Sequence, residues 1–276
     1  MIEIPEAFTL ARQINETLAG RVVQSAIAAA SPHKFAWYHG DPAEYPARLQ
    51  GSTLLSSEAH GGQVQITLSR ASLVFSDGVN LRFIASGEPC PSKHQLLLVM
   101  DDGSALAASV QMYGGLLCWL KDETLENPYY RVAREKPSPL SAAFTEEYFA
   151  GILAIESVQK LSVKAALTTE QRIPGLGNGV LQDILWNAGL SPRCRAGTLR
   201  PFEIQRLFTA LKDTLAEMTR LGGRDTEKDL FGNPGGYQTV MSSRNSGAPC
   251  PVCGTAIVKE AYMGGSVYYC PACQRT

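Results

Sequence analysis

Four cysteines near the end of the chain carry the sharpest chemical signal. Cys250 and Cys253 form one C-x2-C pair, Cys270 and Cys273 a second, and sixteen residues separate the two. Two such pairs can place four thiolates at the corners of a tetrahedron around one zinc ion. An all-sulfur shell of four ligands leaves no open position, so the expected cofactor is one structural Zn2+, not a catalytic one. Free thiols or two disulfides are the alternatives, and the spacing favours metal. Ala256–Ala261 and Val267–Tyr269 read as the strands of a hairpin with Met263-Gly264-Gly265-Ser266 at its tip.

A second candidate is the glycine-rich turn Ile173-Pro174-Gly175-Leu176-Gly177-Asn178-Gly179. Gly175 and Gly177 permit close backbone approach, and a helix that follows such a turn points free amides outward, a ready anion site. Asn178 adds a side-chain donor. Lys160 and Lys164 precede the turn on what reads as one helix; Arg193 and Arg195 follow the next helix. The set Lys164, Gly177, Asn178, Arg193 and Arg195 is therefore the expected phosphate-binding surface. The plain alternative is an ordinary helix–helix connection with solvated charges.

The bulk numbers agree with a nucleic-acid role only in their distribution. Net charge over 276 residues is −1. Residues 1–150 hold 11 Lys+Arg against 16 Asp+Glu, and residues 151–276 hold 14 against 10, so a phosphate-binding face belongs in the second half. No apolar run reaches the eighteen residues that suggest a membrane span, and no signal peptide is evident, so the cytoplasm is the expected compartment. Cys90, Cys118 and Cys194 are odd in number, argue against a disulfide framework, and read as small buried residues.

The elements that must position these groups fall into two blocks. Residues 5–19 read as a helix, with Pro5 in its first turn and Gly20 after its last. Apolar runs at Val22–Ala29, Val64–Leu68, Leu73–Phe75, Leu81–Ala85, Leu96–Met100 and Leu116–Leu120 read as strands. Gly61-Gly62, Asp77-Gly78 and Asp101-Asp102-Gly103 read as hairpin turns between them. A sandwich or flattened barrel is expected. Residues 124–141 read as a polar linker. Helical patterns follow at Phe144–Ala154, Val158–Leu167, Gly179–Ala188 and Pro201–Leu221. Gly222–Gly247 reads as a long, mobile loop. The division is 1–123, a linker at 124–141, 142–247, and a zinc finger at 248–276.

Together these segments resemble the formamidopyrimidine-DNA glycosylase and endonuclease VIII family. The glycine turn is similar to the family's helix–two-turn–helix motif. Met1-Ile2-Glu3-Ile4-Pro5-Glu6-Ala7 is similar to its opening Met-Pro-Glu-Leu-Pro-Glu-Val, and Cys-Pro-Val-Cys with Tyr-Cys-Pro-Ala-Cys-Gln resembles its zinc finger. The resemblance implies an α+β fold: an N-terminal helix and two-layer β-sandwich, then a helical domain ending in the zinc hairpin. It implies a monomer acting on damaged double-stranded DNA in base-excision repair. Family enzymes flip the damaged base out of the duplex. An N-terminal amine then attacks the sugar C1′ to give a Schiff base, and β- or β,δ-elimination cuts the strand.

Carried over by position, Glu3 is the proton-handling glutamate, Glu6 the second family glutamate, Lys164 the lysine near the lesion strand, and Asn178 the phosphate-binding asparagine. Four positions depart from the pattern. Ile2 stands where the family has the nucleophilic proline, and a large second residue prevents removal of Met1. The amine is thereby displaced by one residue, onto Met1, and catalysis by proximity tolerates such displacement badly. Gly265 stands for an arginine of the hairpin, Gly62 for a lysine of the β-domain, and Ala85 for the methionine that fills the space of the flipped base. Gln111-Met112-Tyr113 reads either as an intercalating wedge or as a buried strand end. Two functions are compatible: a DNA glycosylase with an altered lyase step, or a catalytically silent sensor of lesions or unusual DNA structure. A zinc-ribbon module for RNA or protein leaves the other two motifs unexplained.

Overall fold

Pro5 in the first turn and a run of apolar residues on one side start the first helix, α1, over Ile4–Leu18. The computed structural model of the chain describes residues 1–274; the last two residues of the 248–276 segment lie outside them. After α1 come β1 (Val23–Ala28), β2 (Ala36–Tyr38), α2 (Tyr45–Leu49), β3 (Leu54–His60), β4 (Gln63–Leu68) and β5 (Ala71–Ser76). Then follow β6 (Val79–Ile84), β7 (Leu96–Met100), β8 (Ala105–Val110) and β9 (Gly114–Leu120). One sheet has the order β1-β7-β8-β6; the other has β2-β9-β5-β4-β3, with β2 parallel to β9. The sheets face each other over a core that includes Leu54, Ile66, Phe75, Leu98, Leu106 and Leu116.

The sandwich forms as expected, but three of its strands carry no clear apolar alternation. β2 has three residues, β3 reads Leu-Leu-Ser-Ser-Glu-Ala-His, and β8 is alanine-rich. Asp77-Gly78 also differs from expectation. β5 and β6 lie in different sheets, so this turn is a corner between the two layers and not a hairpin. Gly61-Gly62 and Asp101–Gly103 do join antiparallel neighbours.

The stretch read as linker contains a helix, α3 (Pro128–Glu135), capped by the Asn127 side chain. Tyr130 from it packs with Trp119, Val74 and Leu125. The helical block holds α4 (Glu146–Ala154), α5 (Glu156–Gln159), α6 (Val163–Thr168), α7 (Asn178–Asn187) and α8 (Pro201–Arg220). The segment expected as one helix over 158–167 is broken, because Ser162 caps a new helix through the amide of Ala165. Lys160 and Lys164 therefore do not share a helix; Lys160 pairs with Glu156.

Residues 222–247 form no long helix or strand, yet buried polar contacts tie them down. Asp225 accepts from the amide and hydroxyl of Thr239 and pairs with Arg244. Asp183 of α7 accepts from the amides of Val240 and Met241. Leu230 and Met241 are buried. The expected mobility gives way to this anchoring. The chain ends in a hairpin of β10 (Val258–Tyr262) and β11 (Gly265–Tyr269), as the spacing implied. Of the three remaining cysteines only Cys118 is buried; Cys90 is exposed and Cys194 half-buried, so the apolar reading holds for one of three. Among the described residues no helix is long and apolar enough to cross a membrane.

The start of α1 lies where the two halves meet. Ile2, Ala7, Leu10 and Ile14 join the sandwich core, whereas Ile4 joins the helical core with Phe149, Val180 and Leu211. Backbone meets backbone at the same place. A Cβ on Gly175 would stand 2.0 Å from the Gly62 nitrogen, so this turn of the helical block rests directly on the β3–β4 hairpin.

Candidate active site and nucleic-acid interface

A cleft of about 960 Å³ opens between the two halves, lined by Met1, Glu3, Asp77, Tyr113, Tyr129 and Lys164 among others. The glycine turn, Gly62 and the hairpin tip complete it.

Glu3 is 4% exposed and is aimed at the N-terminus of α7. Its carboxylate accepts from the amides of Gly179 at 2.9 Å and Val180 at 2.7 Å. The amides expected to bind DNA phosphate thus hold an internal carboxylate. The glycines make this possible: a Cβ on Gly177 would stand 2.3 Å from the Glu3 Oε1, and one on Gly179 would overlap the Arg224 guanidinium. Gly177 therefore positions Glu3. Burial pushes the Glu3 carboxyl above its ordinary 4.5, against the opposing pull of Arg224 at 3.6 Å and the two amides.

Arg224 is the buried partner that sequence reasoning missed. It is 3% exposed and grips Glu6 with Nε at 3.0 Å and a terminal nitrogen at 2.9 Å. Its backbone amide donates to the same carboxylate. Burial alone would raise the Glu6 carboxyl, but Arg224 outweighs it and holds the group below 4.5. Glu6 also accepts from the Glu3 amide. Its role in the site is thus to hold Arg224 and the start of α1.

Ile2 is fixed at both ends. Its side chain is 6% exposed within the sandwich core, and its amide donates to the Asp77 carbonyl at 2.6 Å. The amine of Met1 pairs with Glu227. Glu227 lines a smaller pocket that adjoins the main cleft at Met1 and Ile2. The Met1 sulfur lies against the Tyr113 hydroxyl.

The other expected contacts divide. Lys164 donates to the Tyr262 carbonyl at 2.9 Å, and Asn178 to the Ser266 carbonyl at 3.0 Å, so both face the cleft while holding the hairpin. Burial lowers the Lys164 ammonium below its ordinary range. The Asn178 side-chain oxygen is buried without a partner. Arg193 pairs with Glu260 and stacks over Tyr262 at 4.2 Å, which makes it part of the hairpin's support. Arg195 is exposed. Gly265 lies beside Lys164 and Asn178, and Gly62 lines the cleft, whereas Ala85 does not. Met112 is 66% exposed on the loop between β8 and β9, so the buried-strand-end reading of Gln111–Tyr113 is set aside.

The four cysteine sulfurs converge within 4.8 Å of one another. Cys250 and Cys273 are 3.9 Å apart and Cys253 and Cys270 3.4 Å. A tetrahedron with 2.3 Å metal–sulfur bonds has edges of roughly 3.8 Å, so the donor set fits one metal ion of zinc's size.

Comparison with known proteins accords with this geometry. Residues 1–138 match the formamidopyrimidine-DNA glycosylase N-terminal domain and residues 136–229 the formamidopyrimidine-DNA glycosylase H2TH domain. The chain is 30% identical over 287 residues to formamidopyrimidine-DNA glycosylase of Geobacillus kaustophilus, covering all of both chains. It is 31% identical over 280 residues to that of Symbiobacterium thermophilum, covering 99% of this chain and 89% of the relative. The crystal structure of the MutM (Fpg) protein of Thermus thermophilus superimposes with a TM-score of 0.81 at 27% identity, over 99% of this chain and 98% of that one. The Lactococcus lactis Fpg bound to abasic-site DNA shares the fold, with a TM-score of 0.82 at 21% identity, over 99% of this chain and all of that one. With both halves matched, in order and over the whole length, the chain belongs to the formamidopyrimidine-DNA glycosylase family of DNA-repair enzymes.

Proposed function

We propose that this protein removes damaged bases from double-stranded DNA by hydrolysis, without the imine that an N-terminal amine would form. The observation that carries the reading is the state of position 2. The Ile2 nitrogen is a peptide nitrogen, donates its hydrogen to Asp77, and belongs to a residue whose side chain is buried in the core. An acylated nitrogen has no available lone pair with which to attack C1′. The amine of Met1 is paired with Glu227, and the Lys164 amine, which also faces the cleft, donates to the Tyr262 carbonyl. With both amines engaged, water is the nucleophile of this reading, and the cleft supplies carboxylates to activate it. The four thiolates hold one structural zinc ion, which braces the hairpin that Lys164 and Asn178 grip.

The test uses duplexes carrying 8-oxoguanine, an oxidised pyrimidine or an abasic site, with borohydride present. Release of free base with no covalent adduct is the expected result. A strong adduct that disappears when the N-terminal amine is blocked would refute the reading. A silent lesion sensor is the second reading, favoured by one observation: the α7 amides and the Met1 amine are all occupied by carboxylates of the protein itself. Tight, lesion-selective binding with no base release from any duplex would establish it.

A further inference from the structure

Asp77 stands out among the cleft residues because its backbone is strained and its side chain faces the reaction space. Its φ is +58°, in the left-handed region that glycine occupies without penalty. The residue is the corner at which the chain passes from β5 in one sheet to β6 in the other. Non-glycine residues held in such a conformation concentrate at functional sites. The surroundings hold the corner in place. Its carbonyl takes the Ile2 amide, the following Gly78 amide donates to the Tyr113 carbonyl at 2.9 Å, and the Gln111 amide donates back to the Gly78 carbonyl.

The carboxylate is equally constrained. Oδ1 accepts from the Tyr129 hydroxyl at 3.1 Å and Oδ2 from the Ser76 hydroxyl at 2.8 Å. Each oxygen keeps a lone pair, and the side chain is only half-buried at the cleft wall. Glu3, the other carboxylate deep in the cleft, already receives an amide on each oxygen and faces Arg224. Tyr113, Asp77 and Glu3 all line the same cleft, and burial, with the charges of Asp77 and Glu3, raises the Tyr113 hydroxyl. Asp77 is attached to the Ile2 nitrogen by its own carbonyl. That nitrogen stands at the position where the family pattern resembled by the N-terminus has its nucleophile.

We propose that Asp77 is the catalytic carboxylate that activates the attacking water in this protein, a role that rests on the hydrolytic reading above. Water bound to the free lone pair of Asp77 attacks C1′ of the flipped nucleotide. The new bond is C1′–O and the bond broken is the N-glycosidic one. The water proton passes to Asp77, the damaged base leaves with the bonding electron pair, and it takes up a proton from solvent. Asp77 then returns its proton to solvent. Tyr129 and Ser76 orient the carboxylate throughout.

Two variants separate chemistry from structure. Asp77→Gly relieves the strained φ and keeps the carbonyl that holds Ile2, so the fold has no reason to fail. Asp77→Asn keeps a side chain that can still bond Tyr129 and Ser76 but cannot take a proton. Single-turnover base release from the best lesion duplex should fall about 100-fold or more in both, the usual scale for loss of a general base. Affinity for a duplex with a stable abasic analogue should stay within about twofold. Release within about tenfold of wild type in either variant would overturn the assignment and leave the hydrolytic reading standing. A wild type that releases base only together with a borohydride-trapped adduct, or that releases none, would overturn both.

Discussion

Replacing Arg224 by glutamine removes the cation that Glu3, Glu6 and Glu227 share. Nitrogen–oxygen distances of 3.6, 2.9 and 3.9 Å link them, and Glu3, Glu6 and Arg224 are each 5% exposed or less. Taking one partner from a buried ion pair leaves an uncompensated buried charge and costs about 3–5 kcal/mol. At about 2–4 °C per kcal/mol for chains of this order of size, the melting temperature should fall by roughly 6–20 °C. The loss should also depend on pH with a definite sign. Without the guanidinium, burial raises both carboxyls above the unfolded value of 4.5, so the folded variant binds more protons than its unfolded chain. Its stability relative to wild type is then lowest near neutrality and recovers as pH falls toward 4.5. Thermal unfolding of both proteins at pH 7.5, 6.5 and 5.5 reads out both effects. A difference below about 1 kcal/mol, or one that stays flat or widens as the pH falls, would refute the shared-cation account.

Three further outcomes are expected. Cys250→Ser, or chelation, should release one equivalent of zinc and unfold the hairpin while the rest of the chain keeps its cooperative transition, because both cores lie outside it; purified protein without stoichiometric zinc contradicts this. Ile2→Pro removes the amide that bonds Asp77 and, with Met1 then removable, frees a secondary amine at that position. Borohydride trapping on abasic DNA should appear, and Glu3→Gln in that background should slow turnover; absence of any adduct counts against the position-2 account. Asn178→Ala should weaken duplex binding about equally across sequences, and binding should fall steeply with added salt despite the net charge of −1. Salt-insensitive binding would exclude a phosphate role for this face.

The parts legible in the sequence are those whose signal is local. The cysteine spacing, the hairpin tip, the glycine turn and α1 each announce themselves within about twenty residues, and the structure places them as read. What was not legible depends on residues far apart in the chain. Arg224 is one of two arginines in a polar loop, and only the fold brings it to Glu6, 218 positions away. Asp77 reads as an ordinary turn residue until β5 and β6 prove to belong to different sheets. The α7 amides were read as a site for DNA phosphate, whereas the carboxylate they hold is that of Glu3 from the chain itself. β8 escaped notice because alanines buried between neighbouring strands lack the alternation of a half-exposed strand.

The backbone contact between Gly62 and Gly175 makes the substitutions in this cleft interdependent. A Cβ at position 62 would come within 3.0 Å of both the Gly175 Cα and the Ile2 carbonyl oxygen. A lysine there would press its first carbon on both, so this backbone must give by a few tenths of an ångström at the residue that carries the altered nucleophile position. Proline at position 2 and lysine at position 62 are therefore coupled, because both act on the same short stretch of packed backbone. The effect of making both replacements should then differ from the sum of the two made singly.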